Sequence, residues 1–322
     1  MYTQKQSYSG EEEKLSFPLP CDKGPYIWDK SEHLDGIGST LQWRKQSFIA
    51  AHILNAKWIG DLTNSHHIEE GDQSSYFGLK FHDCDKASLK IYARLNSFRL
   101  IKIPRTNMLK YIPTLSVNAK TALVFQWGYM EEAYNYMVFD ALFRERFHKE
   151  RALRTSRKKN VNEYWVSIHF RWGDVQTNNA DEPNMRSGLK FSHYCKCVLE
   201  IQSLNPNAII FIFAEKLKSV SELCIGLNPN RTHHFSDSQF WGRDIDIMSQ
   251  SNLLLGGSSS FFMLGAHLCQ NCTVIHNSVP KFQKSKYEET LLSHMNAFYC
   301  KRSLECYLNR LRAQLRQSSI SN

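Results

Sequence analysis

The second half of the chain alternates short apolar segments with segments of helical spacing, and this alternation narrows the possible folds sharply. Its clearest segment is Ala208–Phe213, an almost continuous apolar run, which is typical of a strand buried on both faces of a sheet. The same patterns predict further strands at Tyr164–His169, Thr232–Phe235, Leu253–Leu255 and Thr273–His276, and helices at Phe191–Leu204, Lys216–Leu223, Asp244–Ser251 and Phe261–Leu268. This order favours a parallel sheet covered by helices on both faces.

The first half is less regular but contains elements of the same two kinds. Residues 1–30 are polar with several prolines and predict an extended lead-in. A glycine turn at residues 35–40 follows. The next segments predict a helix at Leu41–Ile53, strands at Lys57–Ile59, Tyr76–Phe81, Ser88–Tyr92 and Leu123–Trp127, and a long helix at Met130–Arg151.

The length of 322 residues suits two domains. We place the boundary at the basic run Arg151–Lys159, which we interpret as a solvated helix end or linker. The predicted organisation is an N-terminal lobe of residues 1–155, a C-terminal lobe of residues 156–285, and a basic helical extension of residues 286–322. We expect this extension to pack back across the other lobe.

The net charge of +9 indicates an anionic partner, which can be nucleic acid, a membrane surface or a nucleotide sugar. The basic residues form no long stripe and match no nucleic-acid-binding signature, so no nucleic-acid partner is predicted. No stretch approaches the roughly 20 apolar residues of a membrane span. Residues 1–14 contain no apolar signal region, so the sequence as written predicts no secretory targeting.

The nine cysteines leave two interpretations open. Cys269 and Cys272 have the spacing of zinc ligands, but no second pair of this kind completes a site. Disulfides of a lumenal protein are the other interpretation. Two glycosylation sequons, at Asn230 and Asn271, would matter only in that compartment.

The strand predicted at Tyr164–His169 runs directly into Arg171, Trp172, Gly173 and Asp174. Ligands of open α/β sheets bind beyond the carboxyl ends of strands. The planar guanidinium of an arginine suits a phosphate because it offers paired donors and a permanent charge. These residues therefore predict a phosphate site, although an Arg–Asp pair that only holds the loop explains the same spacing.

The glycine turn brings a second candidate contact through Gly36 and Gly38. Glycines before a helix allow backbone N–H groups to approach a phosphate or a sugar. The structural alternative is a turn that simply starts the helix, with Ser39 or Thr40 as its cap.

Three elements in order resemble the GDP-fucose-dependent fucosyltransferase superfamily, which includes the alpha-1,2-, alpha-1,6- and protein O-fucosyltransferases. They are G-I-G at 36–38, H-F-R-W-G-D at 169–174, and D-I-D-I-M-S at 244–249 followed by S-S-S-F at 258–261. The resemblance covers about residues 35–275. It implies a GT-B fold, with two Rossmann-like lobes and a cleft between them. It also implies inverting transfer of fucose from GDP-fucose to a hydroxyl of a glycan or glycoprotein, with no metal and no cofactor.

The resemblance assigns the phosphate-binding role to Arg171 and a donor-site hydrogen bond to His169. A fixed cation at this place would take up the charge that develops on the departing diphosphate. The histidine has a structural alternative, a satisfied residue at a strand end. Asp174 is placed in the substrate site by the motif, with the orientation of the loop or of Arg171 as its expected task.

The remaining donor contacts implied by the resemblance come from the third element. Asp244 matches the aspartate that reads guanine, since a carboxylate accepts from both the ring N–H and the exocyclic amine. A helix N-cap is the structural alternative for this residue. Ser259, Ser260 and Phe261 match the element that meets the pyrophosphate, while Gly36 and Gly38 face the sugar.

The sequence departs from the superfamily at two places. Ser39 stands where asparagine is usual, and Trp172 replaces a second arginine. No motif fixes the catalytic base. Asp181 and Glu182, in the loop after the motif, are candidates, and Asp35 is another from the opposite lobe, with solvated loop charges as the alternative interpretation of each. These departures keep two other hypotheses open: transfer from another nucleotide sugar, and a GDP- or glycan-binding protein without transfer activity.

The superfamily is usually lumenal, in the endoplasmic reticulum or Golgi, behind a membrane anchor. The chain shows no such anchor or signal, so we expect a truncated or unusual member. The acceptor, the linkage and the oligomeric state are not specified by the sequence.

Overall fold

The computed structural model describes residues 25–29, 41, 47–48, 50–59, 74–79, 98–103, 112–125, 137–154, 158–170, 190–214, 224–235, 241–257, 259–277, 296–300 and 303–320. Within them the strands form two wholly parallel sheets, one of four strands and one of six. The predicted α/β class is confirmed by these sheets, which are consistent with the two predicted Rossmann-like lobes.

The first sheet consists of β1 (Tyr26–Asp29), β2 (Lys57–Ile59), β3 (Arg99–Ile103) and β4 (Thr121–Phe125), in the order β2-β1-β4-β3. Its central strands bury Ile27 and Leu123 completely. Residues 50–53 end a helix just before β2, in agreement with the predicted helix. β1 and β3 were not predicted, because each is short and carries no long apolar run.

The strand predicted at Tyr76–Phe81 is wrong where the structure describes it. Residues Ser74–Phe77 form a 3₁₀-helix instead. Gly78 follows with a φ of +67°, a conformation that leaves the extended region. A side chain at this position would also meet the Arg146 backbone at 2.9 Å, so the chain turns tightly here. The strand predicted at Ser88–Tyr92 lies outside the described residues.

The second sheet consists of six strands in the order β10-β9-β8-β5-β6-β7. Their bounds are β5 Trp165–His169, β6 Ile209–Phe213, β7 Thr232–Phe235, β8 Leu253–Gly257, β9 Thr273–Asn277 and β10 Asn296–Tyr299. Every residue of β6 and β8 is buried, as expected for central parallel strands. The strand predictions for β5 to β9 are confirmed to within two residues at each end.

Besides the helix that ends at residue 53, the described part of the chain contains five helices: α1 Met137–Leu153, α2 Phe191–Leu204, α3 Trp241–Gln250, α4 Ser260–Leu268 and α5 Leu304–Ile320. The bounds of α2 agree with the prediction at both ends. The predicted helix Lys216–Leu223 lies outside the described residues. None of the described helices is long and apolar enough to span a membrane.

Alternate residues of the second sheet enter two different cores. Trp165, Phe211 and Phe213 point to one face, where a continuous cluster reaches through α1 to Ile27 and Leu123 of the first sheet. Their neighbours point to the opposite face, which α2 and α5 cover. This period of two is the geometry of a strand, and it explains why the sheet is covered on both sides.

The C-terminal segment does not pack across the other lobe as expected. Residues 296–299 add β10 to the edge of the second sheet, and α5 packs against α2 and β9. The apolar residues Tyr307, Leu311 and Leu315 share one face of α5 and are buried in the core with α2. The segment therefore belongs to the second lobe because its apolar stripe matches the open face of that sheet. The limits of the predicted domains stay a prediction.

Two disulfides are present among the described cysteines: Cys195–Cys224 and Cys300–Cys306. Their Cα separations of 5.3 and 5.5 Å suit such bonds. Cys197, Cys269 and Cys272 are unbridged and buried. No cluster of three or more potential metal ligands occurs within the described residues. Of the two interpretations of the cysteines, the structure supports disulfide formation, for four of the described cysteines.

Candidate functional site

The order of the second sheet creates a topological switch point between β5 and β8. From β5 the chain continues outwards to β6 and β7, whereas β8 begins a second series that runs through β9 to β10 on the other side. The connecting segments therefore leave the sheet in opposite directions at the carboxyl ends of β5 and β8. Ligands of open α/β folds bind at such a point.

His169 is the last residue of β5 and pairs in register with Gly256 of β8. Its half-buried ring lies 5.6 Å from the ring of Phe261 and 6.2 Å from that of Phe262. The structure thus brings together His169 and Phe261, two residues predicted for the donor site from distant parts of the sequence.

Gly256 is required by the approach of α4 to the end of β8. A Cβ atom at this position would lie 2.5 Å from the ring of Phe262, which is fully buried. The carbonyl oxygen of Gly256 accepts a hydrogen bond of 2.9 Å from the buried hydroxyl of Tyr307 in α5. The end of β8, just before α4, is therefore held by α4 and by the C-terminal helix. Sequence reasoning missed Tyr307, because its partner lies 51 residues away.

Ser259 and Ser260 stand at the N-terminus of α4, on the same edge of the sheet. Ser259 is buried and has extended backbone angles, and its side chain makes no capping hydrogen bond to the helix. Its carbonyl oxygen accepts the N–H of Met263 at 2.9 Å, which starts the helical pattern. The N–H groups of the first turn of a helix have no acceptor within the helix and point out of its N-terminal end, where they favour binding of an anion.

Asp244 lies in the first turn of α3 and is only 6% exposed. Its Oδ1 accepts hydrogen bonds from Nε of Arg243 at 2.9 Å and contacts Nη2 of the same guanidinium at 2.8 Å. The guanidinium in turn lies 4.0 Å above the ring of Phe235, the last residue of β7. The helix begins three residues earlier than predicted, so the N-cap interpretation of Asp244 is wrong.

In the described part of the basic run Arg151–Lys159, Arg154 and Lys159 are half-buried and make specific hydrogen bonds, unlike the cations of a solvated linker. Arg154 donates from Nη1 to the carbonyl oxygen of Tyr76 at 2.6 Å and from Nη2 to Oδ1 of Asp246 at 2.8 Å. Lys159 donates to the side chain of Asn252, next to β8. Arg154 thus joins Tyr76 of the N-terminal half to Asp246 of the C-terminal lobe, whereas Lys159 and Asn252 belong to the same lobe. The local sequence reveals neither set of partners.

Burial controls the charge of two histidines near this edge. It lowers the pKa of His276, on β9, to about 4. It also lowers the pKa of His234, on β7. Both imidazoles are therefore neutral at pH 7, and the described positive charge closest to Asp244 is the guanidinium of Arg243.

Seven of the predicted site residues lie outside the described part of the chain: Asp35, Gly36, Gly38, Arg171, Asp174, Asp181 and Glu182. Their roles stay predictions. Arg171 follows His169 by two residues, so the described end of β5 leads directly towards it.

No family model matches the chain, and no curated protein matches it. Among solved structures, it is similar to a glycosyl transferase of family 9 from Veillonella parvula, at 9% identity and a TM-score of 0.47 over 92% of this chain and 98% of that one. It is also similar to the ADP-heptose LPS heptosyltransferase II of E. coli, at 9% identity and a TM-score of 0.48 over 91% and 99%. The fucosyltransferase NodZ from Bradyrhizobium aligns at 13% identity and a TM-score of 0.39 over 77% and 93%.

Identities of 9 to 13% and TM-scores below 0.5 assign this chain neither a family nor a substrate. Its function is therefore inferred from its own residues.

Proposed function

We propose that this protein is a glycosyltransferase that transfers fucose from GDP-fucose to a hydroxyl group of a glycan or a protein, with inversion and without a metal ion. The observation that supports this most directly is the switch point between β5 and β8. Around it lie His169, Ser259 and Phe261, which belong to two of the three sequence elements of the superfamily, and Gly256, which pairs with His169.

The N-terminus of α4 and Arg171 would hold the diphosphate of the donor. The helix offers N–H groups at its N-terminus next to Ser259, and Arg171 follows the strand that ends at His169 by two residues in the sequence. In the reaction, the acceptor oxygen bonds to the anomeric carbon of fucose while the bond from that carbon to the diphosphate oxygen breaks. The electron pair leaves with GDP, where a fixed cation stabilises the developing charge.

The proton of the acceptor hydroxyl would pass to a carboxylate, for which Asp35, Asp181 and Glu182 remain the candidates. Asp244 would accept from guanine, with its carboxylate oriented by Arg243 at 2.9 Å. This carboxylate would discriminate between bases, because a base that lacks the ring N–H and the exocyclic amine of guanine cannot donate both hydrogen bonds to it.

The proposal is tested by a donor screen that needs no acceptor. Melting temperature is measured with GDP, UDP, ADP and CDP, and hydrolysis of the corresponding nucleotide sugars is then followed by release of the nucleotide. We expect stabilisation by GDP above the other three, and release of GDP from GDP-fucose.

A preference for UDP, ADP or CDP would overturn the choice of donor and favour transfer from another nucleotide sugar. Tight binding of GDP with no hydrolysis and no transfer to a panel of glycans would favour the binding protein instead, which the unusual Ser39 and Trp172 motivate. A chain that binds no nucleotide contradicts both.

A further inference from the structure

The first turn of α3 is held by a residue from the N-terminal half of the chain. The hydroxyl of Tyr76 donates a hydrogen bond to the carbonyl oxygen of Gly242, 166 residues away. A Cβ atom at position 242 would lie 2.9 Å from the Tyr76 ring, so this approach needs glycine. Beside it the rings of Phe77 and Trp241 stack at 5.6 Å and 14°.

Arg154 ties this contact to a second point on the same helix. Its guanidinium lies 3.7 Å from the centre of the Tyr76 ring and donates to the Tyr76 carbonyl oxygen. Its Nη2 also donates to the carboxylate of Asp246, whose side chain is 3% exposed. One arginine thereby joins the end of α1, the 3₁₀-helix Ser74–Phe77 and α3.

The two contacts lie on one face of α3. Gly242 and Asp246 are four residues apart and therefore stand one above the other on a helix. Asp244 is two residues from each, which places it on nearly the opposite face. Any roll of α3 about its axis that loosens the first face moves the carboxylate of Asp244 on the other.

We propose that Tyr76 and Arg154 are positioning residues that fix the rotation of α3, so that the Asp244 carboxylate is presented to the nucleobase of the donor. The inference rests on the proposed function and adds a source of base selectivity in the N-terminal half of the chain. The contact between the lobes would thereby contribute to the selection of the nucleobase.

The hydrogen bond from the Tyr76 hydroxyl to Gly242 should not change over the ordinary range of pH. Burial raises the pKa of Tyr76, and the nearby carboxylate of Asp246 raises it further. The hydroxyl therefore stays a donor to Gly242, and the interaction depends on its geometry.

The test compares binding of GDP with binding of inosine diphosphate, which lacks only the exocyclic amine of guanine. A hydrogen bond from that amine to a carboxylate gives the wild type a preference for GDP of about tenfold or more. We expect Asp244→Asn to abolish the preference. Tyr76→Phe, which keeps the ring, and Arg154→Lys, which loses the fork, should each reduce it severalfold and leave the affinity for inosine diphosphate nearly unchanged.

Arg312→Lys is the matched control. Arg312 makes an ion pair with Glu200, at 2.6 Å between α5 and α2. These two helices belong to the core on the opposite face of the second sheet from the core that contains Ile245 and Met248 of α3. This variant should keep the full preference for GDP. Should Arg154→Lys not fold, Tyr76→Phe decides alone.

A lowered melting temperature with an unchanged preference in Tyr76→Phe would show that the contact is only structural and would overturn the inference. A wild type that binds GDP without preferring it to inosine diphosphate, or binds neither, would instead overturn the role of Asp244 in the proposed function.

Discussion

His169 and Gly256 face each other across β5 and β8, at the point where the chain turns to opposite sides of the second sheet. The ring of Phe262 fills the space that a side chain at position 256 would take. This arrangement lets the N-terminus of α4 approach the end of β5. It connects the packing of the core to the geometry of the proposed donor site.

Gly256→Ala should lower both stability and GDP binding. The added methyl group would lie 2.5 Å from a buried ring, and overpacking of this kind costs about 1–3 kcal/mol. The displaced turn should weaken GDP binding as well. The measurements are urea denaturation and calorimetric titration. Gly226→Ala is the control. Gly226 has a φ of +93°, so alanine should also destabilise the protein there, but this residue lies away from the switch point. Equal GDP affinity in both variants would contradict the site.

Tyr307→Phe should destabilise the second lobe. The change leaves the buried carbonyl oxygen of Gly256 without its 2.9 Å donor, and such a loss costs about 1–3 kcal/mol. Urea denaturation measures the difference. Tyr299→Phe is the control, since the Tyr299 side chain is 37% exposed and a change there should have a smaller effect. A Tyr307→Phe protein as stable as the wild type would show that the hydrogen bond contributes nothing net.

The two disulfides should contribute unequally. Cys195–Cys224 closes a segment of 29 residues and Cys300–Cys306 one of six. Chain-entropy reasoning gives about 3–4 kcal/mol for the first and about 2 kcal/mol for the second. We expect the pair of substitutions Cys195→Ala and Cys224→Ala to lower the melting temperature more than Cys300→Ala with Cys306→Ala. Identical melting with and without a reductant would contradict both bonds.

The stability of the protein should fall as the pH is lowered from about 6.5 to about 4. Burial lowers the pKa of His276 to about 4, so the unfolded chain binds a proton in this range before the folded protein does. The contribution of His276 to the free energy of unfolding is complete above its pKa in the unfolded chain, and it is lost as the pH falls towards its pKa in the folded protein. This contribution is at most roughly 3 kcal/mol.

Urea denaturation at several pH values measures this dependence, and His276→Gln should flatten it. A residual slope is expected from His148, whose pKa burial also lowers to about 4. A variant with the full slope of the wild type would show that His276 does not titrate as stated.

Arg171→Ala should reduce transfer by roughly 100-fold or more, the scale of one lost charge-stabilising group. The fold should be retained, because the described strand β5 ends at His169, before this position. Initial rates with GDP-fucose and circular dichroism are the measurements. Arg312→Ala, at the ion pair with Glu200, is the control for removal of a cation. Normal transfer activity in the Arg171→Ala variant would contradict the role of this arginine in stabilising the departing diphosphate.

The sequence by itself determined the elements whose pattern is local. The apolar runs of β6 and β8 predict buried strands, and the apolar spacing of α2 predicts a helix. Such predictions succeed because burial on both faces, or on one stripe, depends on residues that are neighbours in the sequence. The sequence also placed His169 at a strand end and Ser259 at a helix start, which correspond to the structure.

Only the tertiary structure decided which of these ends meet. The order of the strands brings β5 beside β8, and no local pattern specifies that order. The strands β1 and β10 escaped prediction because β1 lies in a segment predicted as an extended lead-in and β10 in one predicted as helical. Each depends on a neighbouring strand for its hydrogen bonds. The hold of Tyr76 on Gly242 likewise joins residues 166 positions apart. Contacts at such separations depend on the packing of the whole chain, and for that reason the surroundings of Asp244 became visible only in three dimensions.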